Sequence, residues 1–238
     1  MTTSEPKHAP LRRHLAAVLM AVAILLLLPS VASAQIDQLQ NNLSVGINAG
    51  MNMNSVSFSP SVRQNSKKDF TAGVSVRYIS EKYFGMTCGV LMEVNYSRRG
   101  WSEHYEDYPD VSYQRTMNYV EVPFMAHLAF GKKAVQFFLH AGPQIGFFLG
   151  DSYTIGGDWS ELTLQQTQHT EAINKNFDYG IAGGAGLELN SGIGHFLLEG
   201  RYYYALSDFF GNDKKEVFGR SAHGGITVKL TYLFDLIK

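Results

Sequence analysis

The sequence contains one cysteine, Cys88, only seven prolines, and no long apolar run after its first 34 residues. A single cysteine cannot form an internal disulfide, so the chain is not a disulfide-stabilised scaffold. A membrane-spanning helix needs about 20 predominantly apolar residues in succession, which excludes such a helix from the later part of the sequence. Glycine, tyrosine and phenylalanine are abundant instead. This composition is typical of a strand-rich chain with belts of aromatic side chains.

The chain also lacks an excess of positive charge. It has 20 Lys+Arg against 21 Asp+Glu, and three of the basic and one of the acidic residues lie among the first 34. The remainder therefore carries a net charge of −3. Nucleic-acid-binding proteins generally present a basic surface, so we expect no nucleic-acid partner.

Residues 1–34 have the three parts of a secretory signal peptide. A positive N-terminal region is followed by the apolar run 15–28 and by an Ala-Ser-Ala cleavage site at 32–34. The apolar run is shorter than a spanning helix requires, which favours cleavage over a permanent anchor. We expect Gln35 to be the first residue of the exported protein.

Residues 118–148 show the clearest pattern in the chain, two runs of alternating polarity joined by a turn at 131–133. Period-2 alternation places one set of side chains on each face of a sheet. Each run has about a dozen residues, more than the ~5–6 of a soluble strand. That length suits the ~9–11 residues that a tilted strand needs to cross a bilayer. The stretch is therefore predicted to be a hairpin of two membrane-crossing strands.

Six further segments alternate in the same way, which gives eight strands in total. They are residues 44–53, 69–79, 86–98, 177–189, 195–208 and 222–234. Long connections at 54–68, 99–114, 149–176 and 209–220 alternate with short ones. Outer-membrane barrels have short periplasmic turns and longer external loops. We therefore predict an all-β fold over residues 35–238, an eight-stranded antiparallel up-and-down transmembrane β-barrel.

The polarity of the two predicted faces distinguishes a membrane barrel from a soluble one. One face is apolar, with tyrosine and phenylalanine near the strand ends, and the other carries small, polar and charged residues. A lipocalin-type barrel would place its large apolar residues inside, around a ligand. A membrane barrel turns them towards lipid and satisfies every backbone group by closure. We favour the membrane barrel, in the outer membrane of a Gram-negative bacterium.

Pro123 and Pro143 lie within two of the predicted strands. Proline cannot donate a ladder hydrogen bond and normally avoids central strands. We expect each proline at a β-bulge or near a rim of the barrel, and a bulge there would displace the inside and outside assignments beyond it by one residue.

Four segments occur in an order and spacing that resemble a known family. They are residues 119–124 (YVEVPF), 140–144 (HAGPQ), 177–186 (FDYG and GGAG) and 198–202 (LEGRY). Together they resemble the PorT-like outer-membrane β-barrel family, which is common in Bacteroidetes. The resemblance implies an eight-stranded outer-membrane barrel. PorT itself is tied to type IX secretion, so the family suggests, as an alternative function, an accessory part of a secretion or transport machinery.

Seven charged residues fall on the predicted lumenal face, and their signs nearly balance. Buried charges must be paired. We therefore predict a salt-bridged plug that fills the lumen, and a proton or ion path is the alternative. The predicted network consists of Arg77, Glu93, Glu121, Glu188, Glu199, Arg201 and Lys229.

The predicted external loop at 99–114 is acidic and aromatic. Its acidic residues offer oxygen ligands to a cation such as Ca²⁺, but their spacing matches no defined loop motif, which favours a solvated loop. These candidate ligands are Glu103, His104, Glu106, Asp107 and Asp110. The aromatic residues are candidates for stacking on a glycan or a partner protein, and headgroup anchoring explains them almost as well. The candidate recognition residues are Trp101, Tyr105, Tyr108, Tyr113 and, in the next long loop, Trp159.

No serine–histidine pair of the kind used by outer-membrane lipid-modifying enzymes is evident. His127 and His140 are predicted to be lumenal and have no serine two residues away, and Ser191 and His195 flank a periplasmic turn. The glycines at 183–186 are not followed by a helix, as a phosphate-binding loop requires. We expect no enzymatic activity, no cofactor and no bound metal; a lipid-modifying enzyme is the third alternative.

These observations predict a small outer-membrane barrel with a side-chain-filled lumen and exposed external loops. The expected role is binding, adhesion or structural support of the envelope. The expected partners are outer-membrane lipid and, through the external loops, an envelope protein or a glycan.

Overall fold

The computed structural model describes residues 38–83, 86–105, 110–132, 134–157, 169, 172–173, 175–210 and 218–237. The predicted signal peptide at 1–34 lies outside these residues, so its cleavage stays a prediction. No helix in the described part of the chain has the length and apolar character needed to cross a membrane.

The described residues form eight long strands and one very short one. The long strands combine branched and aromatic side chains on one face with small and polar ones on the other, a pattern that suits a two-faced sheet. The strands are β1 (Gln38–Ser59), β2 (Gln64–Asn65), β3 (Lys67–Tyr83), β4 (Met86–His104), β5 (Ser112–Lys132), β6 (Val135–Gly156), β7 (Phe177–Ser191), β8 (Gly194–Ala205) and β9 (Arg220–Ile237).

The eight long strands close into an antiparallel ring. Their order is β4-β3-β1-β9-β8-β7-β6-β5, and β5 pairs back with β4. Short turns join β3 to β4, β5 to β6 and β7 to β8 at one end of the ring, called here the short-turn end. At that end β1 begins beside the last residues of β9, where Leu43 pairs with Ile237. The predicted eight-stranded up-and-down architecture is confirmed.

Side chains alternate between a buried lumen and an apolar outer wall. Ile47 and Leu198 on the outer wall are 65% and 54% exposed, whereas the lumenal Glu199 and Lys229 are each 2% exposed. An outer wall this apolar would be an aggregation site in water, and the closed ring leaves no unpaired strand edge in lipid. The predicted assignment of the two faces is therefore confirmed.

The prediction of bulges or rim positions for the two prolines is wrong. Pro123 pairs with Gln144 and Pro143 with Ile181, and the register is unbroken across both prolines. The shift between β5 and β6 falls instead after Asn118. Because Pro143 is adjacent to the partner of Pro123, both missing donors fall in one small patch of the ladder. The pairs on either side hold the register.

Three predicted long loops are partly strand, so their predicted bounds are wrong. β1 continues to Ser59 and β4 to His104, and the hairpin of β5 and β6 extends to Ser112 and Gly156. The apolar part of the outer wall is called here the apolar belt. The wall of the barrel continues well beyond this belt at the end opposite the short turns, called here the long-loop end.

The polarity of the alternation reverses where the wall leaves the lipid. On β1 the lumenal side carries Asn48 and Asn52 within the belt, and further along it carries Val56 and Phe58. Ser57 between them faces outwards and is exposed. Above the belt the outer face meets water, so the apolar residues turn inwards as in a soluble sheet. A search for an apolar outer face therefore ends strands such as β1 and β4 too early.

Candidate functional site

The middle of the lumen holds four charged side chains with no net charge, the central tetrad of Glu93, Glu199, Arg201 and Lys229. Arg201 bridges the two glutamates, with Nε 2.8 Å from Oε1 of Glu199 and Nη1 2.9 Å from Oε2 of Glu93. Lys229 Nζ lies 2.6 Å from Oε2 of Glu93 and 3.7 Å from Oε2 of Glu199. Inward positions of β4, β8 and β9 supply these residues. Each charge is compensated within the buried group, as burial requires.

A second charged group, the upper cluster, lies on the long-loop side of the tetrad. Arg99 pairs through Nε with Oε1 of Glu121 at 2.6 Å and through Nη1 with Oδ2 of Asp178 at 2.7 Å. The Tyr203 hydroxyl donates to the same Asp178 oxygen at 2.8 Å, and Cζ of Arg99 lies 4.3 Å from the centroid of the Tyr203 ring. Gln144 donates to Glu121 at 3.1 Å. The Ser207 hydroxyl donates to the other Asp178 oxygen at 2.5 Å, so the two carboxylates share one guanidinium and three further donors.

On the short-turn side, hydrogen bonds lead inwards from the rim of the barrel. His195 lies between two carboxylates, with Nε2 3.0 Å from Oδ1 of Asp235 and Nδ1 2.9 Å from Oε1 of Glu188. The same Glu188 oxygen accepts a hydrogen bond from Nη1 of Arg77 at 2.8 Å. Glu188 therefore joins the half-buried rim histidine to a buried arginine.

Two further histidines connect this rim group to the central tetrad. His127 Nε2 lies 3.7 Å from Oε2 of Glu188, and His127 Nδ1 lies 2.7 Å from Nε2 of His140. His140 Nδ1 lies 3.0 Å from Oε1 of Glu199. A proton must lie between the two imidazoles, since only a protonated ring nitrogen donates. Polar contacts therefore run from the rim to the middle of the lumen, with one longer step at Glu188.

Little space remains in the middle of the lumen. A cavity of about 20 Å³ lies between the tetrad and the upper cluster, bordered by Asn95, Glu121 and Arg201. This volume suits about one water molecule. Phe138 and Met125 are completely buried in the lumen, and an eight-stranded barrel is only wide enough for its own side chains. The described side chains therefore fill the middle of the barrel.

Nine apolar side chains close the long-loop end of the lumen, and we call them the mouth cluster. The Trp101 ring is 0% exposed and lies 5.2 Å from the Phe58 ring and 6.0 Å from the Phe209 ring, measured between centroids. The cluster consists of Val56, Phe58, Trp101, Tyr113, Met117, Tyr119, Phe209, Phe210 and Phe218. Packed across the mouth, it keeps external water away from the charged groups below.

A carboxylate, Glu103, is held at the outer edge of the mouth cluster, above the apolar belt. It accepts hydrogen bonds from Trp101 Nε1 at 3.0 Å and from the Tyr105 hydroxyl at 2.6 Å, and it pairs with His169 Nε2 at 2.9 Å. Burial raises the pKa of Glu103, but these hydrogen bonds outweigh burial and hold its pKa below the ordinary value of 4.5. His169 also stacks on Tyr113 at 3.8 Å, which ties the connection after β6 to the cluster.

The structure places all seven of the predicted lumenal charges inside the barrel, in the three groups described above. The sequence analysis missed Arg99, which it assigned to a loop, and it did not include Asp178 or the histidines in the network. The lumenal position of Arg99 could have been predicted from its even spacing from Glu93, which keeps both side chains on the inward side of β4.

The prediction of exposed loop positions is wrong for Trp101 and Tyr113, which lie on β4 and β5 and are buried in the mouth cluster. Their inward position follows from the reversed polarity of the wall above the belt, which turns aromatic rings towards one another. Tyr105 is partly buried beside Glu103. Tyr108 and Trp159 lie outside the described residues.

Two features are absent from the described residues, a serine–histidine hydrogen bond and a group of metal ligands. No hydrogen bond between described residues joins a serine hydroxyl to a histidine ring, and Ser44, which shares Asp235 with His195, donates to that carboxylate at 2.8 Å. Within the same residues no group of three His, Cys, Asp or Glu side chains could hold a metal ion. Among the predicted cation ligands, Glu103 already uses its carboxylate oxygens to accept the hydrogen bonds given above.

Comparison with known proteins places these features in a wider context. A family model described as "Outer membrane protein beta-barrel domain" matches residues 33–211. The match concerns outer-membrane barrels in general and does not single out PorT-like proteins. The comparison with curated proteins found no match.

Several solved structures are similar to this chain. Ail, the attachment invasion locus protein of Yersinia pestis, is 14% identical, with 82% of this chain and 100% of Ail covered and a TM-score of 0.35. Neisserial surface protein A is 15% identical, with 81% and 97% covered and a TM-score of 0.41. The outer membrane enzyme PagL is 13% identical, with 79% and 97% covered and a TM-score of 0.40.

Proposed function

The chain belongs to the outer membrane protein beta-barrel domain family. On this premise we propose that it is a non-conducting, non-enzymatic barrel that adheres through the part of its wall that extends beyond the apolar belt at the long-loop end. In this proposal the signal at 1–34 is cleaved after export, the short-turn end faces the periplasm and the long-loop end faces the outside. N-terminal sequencing of the mature protein should then begin at Gln35.

The packing of the lumen supports the non-conducting part of the proposal. The central tetrad and the upper cluster occupy the middle of the barrel, with room for about one water molecule between them. The mouth cluster lies above them. An ion crossing this lumen would have to separate paired buried charges, which is costly.

Planar-bilayer recording tests the plug directly. The purified mature chain should insert and show no steady conductance, in salt of any composition. Stable open channels with ion selectivity from the wild-type protein would overturn the plug and make this protein a porin-like conductor.

The protruding end of the β5–β6 hairpin is the observation that carries the adhesion proposal. β6 pairs with β7 only as far as Phe147 and continues to Gly156, which is about 30 Å further along the strand at ~3.3 Å per residue. On this protrusion Tyr153 and Ile155 are 64% and 40% exposed, on the face that carries the buried Tyr113. Exposed aromatic and branched side chains held on a rigid strand are suited to contact with another surface.

Retention of intact bacteria on polystyrene under flow tests this role. Cells that display the wild-type barrel should be retained better than cells that display the double variant Tyr153→Ser, Ile155→Ser. Ile193→Ser is the matched control, because Ile193 is 72% exposed at the short-turn end and would face the periplasm. Equal retention of the wild type and the double variant would contradict adhesion through the hairpin.

The non-enzymatic part of the proposal rests on the lack of a serine–histidine pair among the described residues. Mass spectra of lipid A from cells with and without the protein should be identical, and loss of an acyl chain would contradict the proposal. The secretion role suggested by the PorT-like resemblance stays a prediction. Co-purification of secretion components from native membranes in gentle detergent would support that role.

A further inference from the structure

The short-turn end of the lumen contains a cavity of about 250 Å³, which we call the vestibule. It is bordered by Arg77, Lys82, Gln136, Glu188, Asn190 and His195, from strands on several sides of the ring. An eight-stranded barrel ordinarily has an interior just filled by side chains, so an open space of this size is unexpected. Its volume is slightly below the ~300–1,000 Å³ of pockets for drug-sized ligands, which suits a smaller molecule.

The inner end of the vestibule holds an arginine with unused hydrogen-bonding capacity. Arg77 is 2% exposed and gives one hydrogen bond, from Nη1 to Glu188. Its Nε donates to no described residue. Buried donors are nearly always satisfied, and the side-on edge of a guanidinium, Nε with Nη2, is the edge that binds a carboxylate through two parallel hydrogen bonds. The arrangement therefore lacks an acceptor at this edge.

The charges that border the vestibule select the class of acceptor. Arg77 and Lys82 are positive and Glu188 is negative, and no salt bridge joins Lys82 to any residue that the structure describes. These three side chains together therefore carry a formal charge of +1. A single carboxylate brings it to zero, whereas a phosphate dianion would leave an excess negative charge beside Glu188. Gln136, which also borders the vestibule, offers an amide group to a hydroxyl group on the rest of such a ligand.

We propose that the vestibule is a binding site for a small, hydroxylated monocarboxylate that enters from the periplasm and pairs with Arg77 and Lys82. This site is independent of adhesion at the long-loop end, because the central tetrad and the upper cluster separate the two. A ligand here would also satisfy the buried Nε of Arg77.

The test uses gluconate as the probe and glucitol as its uncharged counterpart. The mature barrel in detergent micelles is titrated with each, and nitrogen NMR follows the Arg77 Nε–H and the His195 ring. Gluconate should shift both signals saturably and glucitol should not. Equal effects of the two compounds, or no saturable shift with gluconate, would overturn the proposal. Tighter binding of inorganic phosphate than of gluconate would overturn the assignment to a monocarboxylate.

Two variants and a control locate the site. Lys82→Gln should weaken gluconate binding about tenfold, equivalent to ~1.4 kcal/mol, and Gln136→Glu should weaken it at least as much by adding a negative charge. Lys68→Gln is the matched control, since Lys68 is exposed on the same strand at the long-loop end. Retained heat-modifiable gel mobility checks that each variant is folded. Unchanged affinity in both folded vestibule variants, or an equal loss in Lys68→Gln, would show that gluconate binds elsewhere.

Discussion

Arg201 and Glu93 are joined across the full width of the barrel, with Nη1 and Oε2 2.9 Å apart. Arg201 lies on β8 and Glu93 on β4, and three strands separate β8 from β4 in either direction around the ring. Arg77 on β3 and Glu188 on β7 are opposite each other in the same way, with Nη1 and Oε1 2.8 Å apart. Neighbouring strands are already held by ladder hydrogen bonds. These ion pairs add direct connections between opposite walls, which the ladder cannot provide.

Loss of the Arg201 guanidinium should destabilise the barrel strongly. Arg201→Ala leaves two glutamates of the central tetrad facing one lysine, and breaking a buried ion pair in this way costs about 3–5 kcal/mol. The midpoint of unfolding in denaturant should fall accordingly in detergent micelles. Arg220→Ala is the control, because Arg220 is exposed at the start of β9 and donates to the hydroxyl of the exposed Tyr204, away from the lumen. Equal midpoints for the wild type and Arg201→Ala would show that the tetrad does not hold the walls together.

The mouth cluster should contribute to stability as a soluble core does. Trp101→Ala removes a completely buried ring that packs against Phe58 and Phe209, and truncation of a buried tryptophan typically costs about 3–5 kcal/mol. Protease digestion of intact cells should then cut the long-loop end faster in Trp101→Ala than in the wild type. Tyr153→Ala, which truncates an exposed ring, should leave the rate nearly unchanged. Identical digestion of all three proteins would contradict a packed external core.

Acid should loosen the mouth cluster through Glu103. Its hydrogen bonds lower its pKa below 4.5 in the folded state, so ionised Glu103 contributes stability that is fully present above that value. This contribution is lost as the pH falls from 4.5 through the lowered pKa. In a Trp159→Phe background, the fluorescence of Trp101 should report a transition below pH 4.5. Glu103→Gln should remove that transition, and its persistence in Glu103→Gln would assign it to another group.

Sequence alone was sufficient for the number of strands, their order and the two faces within the lipid. There, each strand must turn apolar residues outwards, so residues such as Ile47 and Lys229 reveal their positions through simple alternation. The same constraint identified the lumenal charges, because a charged residue in the inward phase of a membrane strand has only the lumen to occupy.

The remaining features could not be predicted from the sequence because they depend on where the lipid ends. Above the belt the preferred polarity reverses. Trp101 and Tyr113 therefore lie in segments whose composition is typical of a loop, although their side chains are buried in a core. Which charges pair with each other also depends on the three-dimensional arrangement of the strands. Arg99 could have matched any of several carboxylates, and only the ring order brings Asp178 to within 2.7 Å of it. The vestibule depends on which side chains leave space, and no periodicity encodes that.

The orientation of the barrel can be tested by labelling single cysteines. In a Cys88→Ala background, Ser61→Cys places a thiol in the exposed connection after β1 at the long-loop end, and Ser191→Cys places one at the exposed end of β7, beside the turn to β8. Short turns face the periplasm in outer-membrane barrels, since the chain enters the membrane from that side and longer loops are carried outwards. A membrane-impermeant maleimide dye should therefore label Ser61→Cys in intact cells. It should label Ser191→Cys only after the outer membrane has been permeabilised. The reverse pattern would invert the barrel and place the vestibule outside the cell, and equal labelling of both in intact cells would contradict a closed, membrane-crossing ring.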